Sequence, residues 1–321
     1  MHVPYPLVYH AVTVTMQRHR EPLLPAEVSP DWLIRARGSG QALSSEEPLI
    51  AEVSSRPGPS PLVVDIHDGI EVGIVLAGSA ERHFQDFVLT GTPGDVWMCA
   101  MWELHGRRVL TEETRSVVLM FLPEFLGEEM LGDRSWLSLF AASATQRPWV
   151  SAAEVREQVL AIGRELQREI VQKPRYWKSA VRINLVRLLF LLSRGWDPPA
   201  PPAGPRSGAT DLTRIMPALT LLRTEPGRRV TLAEAASACG LSPTRFSVVF
   251  HHTLGTSFSK FALRGRLAFV ARLLLSSDLS IEDVAAAAGF VDASHLHRTF
   301  VRHYGCTPGQ YRHRVEGTCP Q

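Results

Sequence analysis

The spacing of apolar residues changes twice along this chain, and each change marks a different kind of element. Between residue 61 and about 122 the apolar positions fall in short, β-branched stretches: Leu62-Val63-Val64, Val72-Gly-Ile-Val-Leu76, Phe87-Val-Leu89, Val96-Trp-Met98 and Ser116 to Phe121. Gly78, the turn Thr92-Pro93-Gly94 and Gly106 separate them. Strands at about ten-residue intervals predict a small barrel or sandwich. Residues 1–60 hold only short apolar runs such as Leu7-Val8 and Val12-Thr-Val14, which predicts irregular chain with an edge strand or two. Beyond Arg147 the period becomes helical. Ser151 and Glu154 match a capping box, and Val155, Val159, Ile162, Leu166 and Ile170 follow at steps of four and three. A second helix follows Pro174, with Val181, Leu185, Leu188, Leu189 and Leu192 on one stripe and Arg182 and Arg187 off it. Such a stripe either packs on the barrel or, as a heptad-like seam, pairs with its own copy; principally Val181, Leu185, Leu188 and Leu192 are expected to form a dimer interface. Asp197 to Gly208 is rich in proline and predicts a linker.

The last third repeats itself. Thr231 to Phe261 and Ser280 to Tyr311 share landmarks 49 or 50 residues apart: a capped start, a glycine stop at Gly240 or Gly289, a second cap at Ser242 or Asp292, then Phe250 or Phe300 and Gly255 or Gly305. Each copy reads helix, tight turn, helix, and two such units offer two helices to DNA grooves. In the first unit Phe246, Val249 and Phe250 form the inner stripe, so Thr244, Ser247, Val248 and His251 face outward, with Arg245 beside them. In the second, Leu296 and Phe300 point inward and Ser294, His295, Arg298 and Arg302 form the free face. Arg298 is the base-reading candidate, because its fork matches O6 and N7 of guanine; His251, His252 and Arg302 suit phosphates. The helix between the units, Ser257 to about Ser277, spans roughly 30 Å at about 1.5 Å per residue, close to the roughly 34 Å between successive major-groove faces.

Composition sharpens this division. Across 321 residues 45% are hydrophobic and 21% charged, as in a globular chain long enough for two cores. The net charge of +2 conceals an imbalance, since residues 211–321 hold 13 Lys/Arg against 8 Asp/Glu. A basic C-terminal part suits nucleic acid. Four scattered cysteines without a C-x-x-C pair argue against a disulfide framework or zinc finger and for a reducing compartment. With no apolar run near 18 residues and no signal-like start, a cytoplasmic protein without a membrane contact is expected.

The stretch 212–314 resembles the AraC/XylS family of transcription regulators. The residues that carry the likeness are Arg266-Leu267 and Leu273-Leu274, Ile281-x-x-Val284-Ala285-x-x-x-Gly289-Phe290, Ser294-x-Leu296-x-Arg298-x-Phe300, and Gly305-x-Thr307-Pro308-x-x-Tyr311-Arg312. The chain departs from the family at Phe261, where Tyr is usual, at Val270, where Ala is usual, and at Val248, where a polar or basic residue often reads a base. The resemblance implies two helix-turn-helix units joined by a central helix. Asp65-Ile-His67 to Gly78 has the spacing His-x3-Glu-x6-Gly, followed by Pro93-Gly94-Asp95 and His105. This looks like the two motifs of a cupin barrel, the usual sensor domain of such regulators, with Asp65 where metal-binding cupins begin their motif with His and Met101-Trp102 in place of the usual Pro-Gly.

These readings imply an α+β protein: a cupin-like effector-binding barrel over 1–147, a helical dimerisation region over 148–196, a linker over 197–208, and a two-unit all-α DNA-binding domain over 209–321. Asp65, His67, Glu71, His105, Trp97 and Trp102 are the expected pocket residues, with Phe84 as a further wall. Either His67, Glu71 and His105 hold a divalent metal, or the pocket is metal-free and binds a small molecule. The expected function is that of an effector-controlled transcription regulator acting as a homodimer on double-stranded DNA, and not an enzyme. The alternatives are a cupin metalloenzyme with an appended DNA-binding domain and a constitutive DNA-binding protein without an effector.

Overall fold

The computed structural model describes residues 43–315 except 85–87, 132–133, 149, 151 and 197–210. The runs at Leu7 and Val12, Phe87, the cap Ser151, the proline-rich linker and Cys319 therefore lie outside the described residues.

Two antiparallel four-stranded sheets form the N-terminal half. The first contains β1 (Leu49–Pro57), β3 (Ile70–Ala77), β6 (Val96–Cys99) and β8 (Glu113–Phe121), in the order β1-β8-β3-β6. The second contains β2 (Val63–Asp65), β4 (Ala80–His83), β5 (Val88–Gly91) and β7 (His105–Val109), in the order β2-β7-β4-β5. This interleaving is a double-sheet jelly roll, an architecture that cupins use. Its apolar filling comes from alternate positions such as Val72, Ile74, Val117, Leu119 and Phe121, all buried. Strands β1, β4 and β7 were not legible as apolar stretches. β4 reads Ala-Glu-Arg-His and β7 reads His-Gly-Arg-Arg-Val, with polar residues on both faces.

Helices α1 (Ala153–Gln172) and α2 (Trp177–Arg194) follow. The first begins at an N-cap, Ala152, without a side-chain bond; the expected capping box involves Ser151, which lies outside the described residues. α1 lies on β3: a Cβ added at Gly163 would meet Leu76 at 2.7 Å. The expected dimer stripe is corrected here. Val181, Leu185 and Leu188 are 0% exposed and belong to the same core as the jelly roll and α1. An isolated amphipathic stripe looks alike whether its partner is a second chain or its own, and here the chain supplies the partner.

The C-terminal part comprises α3 (Asp211–Thr224), α4 (Leu232–Ala238), α5 (Pro243–Leu254), α6 (Phe258–Ser276), α7 (Ile281–Ala287), α8 (Ala293–Tyr304) and α9 (Pro308–Val315). The repeat accounts for α4–α5 and α7–α8, with α6 joining them. Thr231 and Glu234 close a capping box, Ser242 and Asp292 accept from backbone N–H groups of α5 and α8, and Ser280 does the same for α7. Gly240 and Gly289 take left-handed φ values of 62° and 64°, which L side chains adopt at a cost. Phe246, Phe250, Phe258 and Phe261 interlock edge to face in the first unit, and Leu296, Phe300, Tyr304 and Tyr311 fill the second. Among the described residues no helix is long and apolar enough to cross a membrane.

Candidate DNA interface and barrel pocket

The jelly roll places Glu71 at the centre of a buried polar cluster. Its carboxylate accepts from Trp97 Nε1 at 2.5 Å, and its other oxygen lies 3.3 Å from His67 Nε2 and 3.8 Å from His105 Nε2. Arg82 Nη1 is 3.7 Å from Oε1, the oxygen that Trp97 binds. Each imidazole is aimed by a backbone carbonyl, since His67 Nδ1 donates to Gly69 O at 3.0 Å and His105 Nδ1 donates to Glu103 O at 2.8 Å. Nε2 of both rings therefore faces the carboxylate. Gly73 makes room for this arrangement, because the Trp97 ring occupies the space a Cβ there would fill.

Burial alone would push the His67 pKa down, but the hydrogen bond to Glu71 and the charges of Asp65 and Glu71 outweigh it and hold the pKa at about 9. Burial opposes the charge of Glu71 in the same way, yet bonds from His105 and His67 and the charge of Arg82 keep its carboxyl well below the usual range. The cluster is thus a protonated imidazole beside a carboxylate at neutral pH. Two sets bring ligand atoms within metal-binding reach of one another, Asp65, His67 and His105, and Glu71, Cys99 and His105. Binding through the first requires His67 to release its proton. The second requires a thiolate from Cys99, whose pKa burial and then the charges of Glu71 and Glu103 drive upward. Metal binding here competes with protons.

His67, Glu71, His105 and Trp97 come together inside the jelly roll. Asp65 is half-buried beside them and accepts from the Ile66 N–H at 2.7 Å. Phe84 is buried in one cluster with Trp97 and Cys99. Trp102 is the exception. Its ring is buried against the C-terminal part, so its expected place in the pocket wall is corrected. Arg82 and Cys99 also stand at the cluster; their only signal is their register on β4 and β6, and β4 has no apolar alternation to reveal it.

In the C-terminal part α5 and α8 each turn one face to solvent. Thr244, Arg245 and Val248 are exposed on α5, with Ser247 and His251 half-buried. Ser294, His295, Arg298 and Arg302 are exposed on α8, while Leu296, Phe300 and Tyr304 anchor it. Neither helix contains an acidic residue, so nothing on either opposes a phosphate backbone.

A helix-turn-helix domain family matches residues 235–314. Over 95 residues the chain is 33% identical to the RCS-specific HTH-type transcriptional activator RclR of Escherichia coli, a match that covers 30% of this chain and 34% of that protein. Over 98 residues it is 32% identical to an AraC-like transcription regulator of Streptomyces antibioticus, covering 30% of this chain and 32% of that one. Residues 235–314 belong to the AraC-type helix-turn-helix family. The matches span about a third of the length of these relatives. Among solved structures, unsaturated fatty acid bound ToxT from Vibrio cholerae aligns over 88% of this chain and all of its own, at 13% identity and a TM-score of 0.46.

The AraC-type domain is held against the jelly roll by residues that alternate with the pocket cluster. Asp65 and His67 belong to the cluster, whereas Ile66 between them packs against the core of the second helix-turn-helix unit. His105 belongs to the cluster, whereas Leu104 packs on that same core. The backbone N–H of Trp102 donates to the His67 carbonyl at 2.8 Å, and the Trp102 ring stands edge-on to Phe261 with centroids 5.0 Å apart. A Cβ added at Gly265 of α6 would lie 3.2 Å from that ring. Arg147 is buried and grips Glu103 through two bonds of 2.7 and 2.9 Å. Burial and then the charge of Arg264 hold the His303 pKa down to about 4, so His303, next to the anchoring residue Tyr304 of α8, is neutral near pH 7.

Proposed function

We propose that this chain is a DNA-binding transcription regulator whose jelly roll takes a small-molecule effector and, through the joint at Ile66, Trp102 and Leu104, sets how the AraC-type domain is presented to DNA. One observation carries the reading: the two acid-free faces hold exposed residues, while the same domain is clamped to the jelly roll by residues that alternate with the polar cluster. A shift of His67 or His105 on ligand binding acts directly on residues that touch both helix-turn-helix units. The engagement of Glu71 by Trp97 and both imidazoles favours a ligand-sensing pocket over a metalloenzyme centre. The test is to find metabolites that raise the melting temperature of the whole chain, as a ligand selective for the folded state must, and then measure DNA affinity with and without them. Stabilising ligands that leave DNA affinity unchanged and are not turned over would establish the constitutive alternative; turnover would establish the enzyme.

Within this reading Thr244, Arg245, Ser247, Val248 and His251 serve the first half-site and Ser294, His295, Arg298 and Arg302 the second. Arg298→Ala is expected to relax preference at one base pair at a cost of about 1–3 kcal/mol. Lys260→Ala, at the exposed start of α6, is expected to weaken all sequences alike. Selection on randomised duplexes followed by binding to matched and mismatched sites separates the two. Equal losses on both sites for Arg298→Ala would remove its role as a base reader.

The reading also includes a homodimer, now placed on a different face of α2. Ile183 and Phe190 are 68% and 41% exposed and seven residues apart on α2, a pair suited to a second copy. Ile183→Glu on this face should leave a folded monomer, with binding to a two-site operator reduced by about 100-fold through lost effective concentration. Sedimentation and operator titration report both quantities, and an unchanged oligomer clears this face of the role.

A further inference from the structure

Helices α5 and α8 are built to one plan, yet the centre of the outward face holds opposite chemistry in the two. Each has 12 residues, begins after a capping Ser242 or Asp292, ends at a left-handed Gly255 or Gly305, and buries Phe246 and Phe250 or Leu296 and Phe300. All of these landmarks are offset by 50 residues, so the outward faces correspond position for position. On them Thr244 answers to Ser294, Arg245 to His295 and His252 to Arg302, all exposed. A hydroxyl and two nitrogen donors therefore recur at the same places, while the half-buried edge holds His251 in one helix and Val301 in the other. At the centre, Val248 answers to Arg298.

Val248 is 41% exposed. Its neighbours one turn away along the helix are Thr244, Arg245, His251 and His252, the positions that share its face. A β-branched side chain has one strongly preferred rotamer in a helix, so the two methyl groups of Val248 are held toward whatever that face meets. Valine offers neither a donor nor an acceptor. Set against the major-groove edge of guanine, adenine or cytosine, it would strip water from polar atoms without replacing the lost hydrogen bonds, which is costly. Thymine alone presents an apolar group there, its C5-methyl.

From this we infer that Val248 reads a thymine methyl group, so that one chain recognises an unlike pair of bases, thymine under the first helix-turn-helix unit and guanine under the second. The inference rests on the DNA-binding reading above and adds to it the base that the first unit takes. The donors that recur around both centres suit phosphates and hold each helix in its groove whichever base lies beneath. The central residue then decides the base, a guanidinium fork by hydrogen bonds and a valine by fit and dehydration. Helix α6, roughly 30 Å long at about 1.5 Å per residue, sets the units close to one turn of the duplex apart, so the thymine and the guanine lie about ten base pairs from each other.

The test uses the full chain and a duplex selected by it from randomised sequences. Each thymine of that duplex is replaced in turn by deoxyuridine, which removes the C5-methyl group and leaves base pairing intact. One thymine, about ten base pairs from the guanine that Arg298 reads, is expected to lose about three- to fivefold in affinity on replacement, the effect of withdrawing one methyl group from an apolar contact. Val248→Ala, a change at an exposed position, should fold as the unaltered chain does and bind the thymine and uracil duplexes alike. Should it fail to fold, Val248→Ser replaces it with the same expectation. A selected duplex that no uracil replacement weakens, or a loss that persists undiminished in the folded variant, overturns the assignment. If Arg298→Ala still relaxes preference for guanine in that case, this inference fails alone; if no duplex is selected over random sequence, the DNA-reading faces and this inference fail together.

Discussion

Leu185→Glu is expected to unfold the protein or drive it into aggregates, and not to release a folded monomer. Leu185 is 0% exposed and sits in the core that joins α1, α2 and the jelly roll. Removing a buried leucine side chain costs about 2–5 kcal/mol, and an unpaired carboxylate in its place adds several more. The total is comparable with the whole stability of a domain, about 5–15 kcal/mol. Leu185→Ala should remain folded, with the smaller loss visible as a lower urea midpoint at unchanged slope. A soluble, fully folded Leu185→Glu monomer would show that the stripe is an interface and the packing of α2 on α1 is wrong.

Trp102→Ala should carry the second largest effect, about 3–5 kcal/mol, as for other buried tryptophans cut back to alanine. The ring fills the joint between the jelly roll and α6, against Phe261 and Gly265. The backbone of Trp102 is left-handed, with φ 54°, so alanine inherits the strain of that conformation while glycine relieves it by about 1–2 kcal/mol. Trp102→Gly is therefore expected to be the more stable of the two, although it removes the same ring. If Trp102 transmits the state of the barrel, both variants should still bind DNA but lose its dependence on effector. Urea unfolding of the three proteins gives the stabilities, and operator titration gives the coupling. A loss below about 1 kcal/mol for Trp102→Ala would mean that the joint is not closed in solution.

Local signals alone located the helix-turn-helix units. Caps at Thr231, Ser242, Ser280 and Asp292 and stops at Gly240 and Gly289 act within a few residues, so their physics is complete in the sequence, and the inward stripe of each second helix fixes its outward face by geometry. The spacing from His67 to Glu71 was likewise enough to anticipate that these side chains and His105 converge inside the barrel, although His67 lies in the loop between β2 and β3 and not on a strand. Three features depended on the tertiary structure. Which body covers the stripe of α2 was undetermined, because apolar area is buried with equal gain against any surface of matching shape. Trp102 was read as a pocket wall because its neighbours in sequence are pocket residues, yet a left-handed backbone turns its ring to the other side of the joint. Strands β4 and β7 were invisible, since a strand whose inner face carries Arg82 and Arg107 has no apolar alternation to detect. Only the pairing of the two strands sets these arginines opposite each other, a juxtaposition that is a property of no single segment.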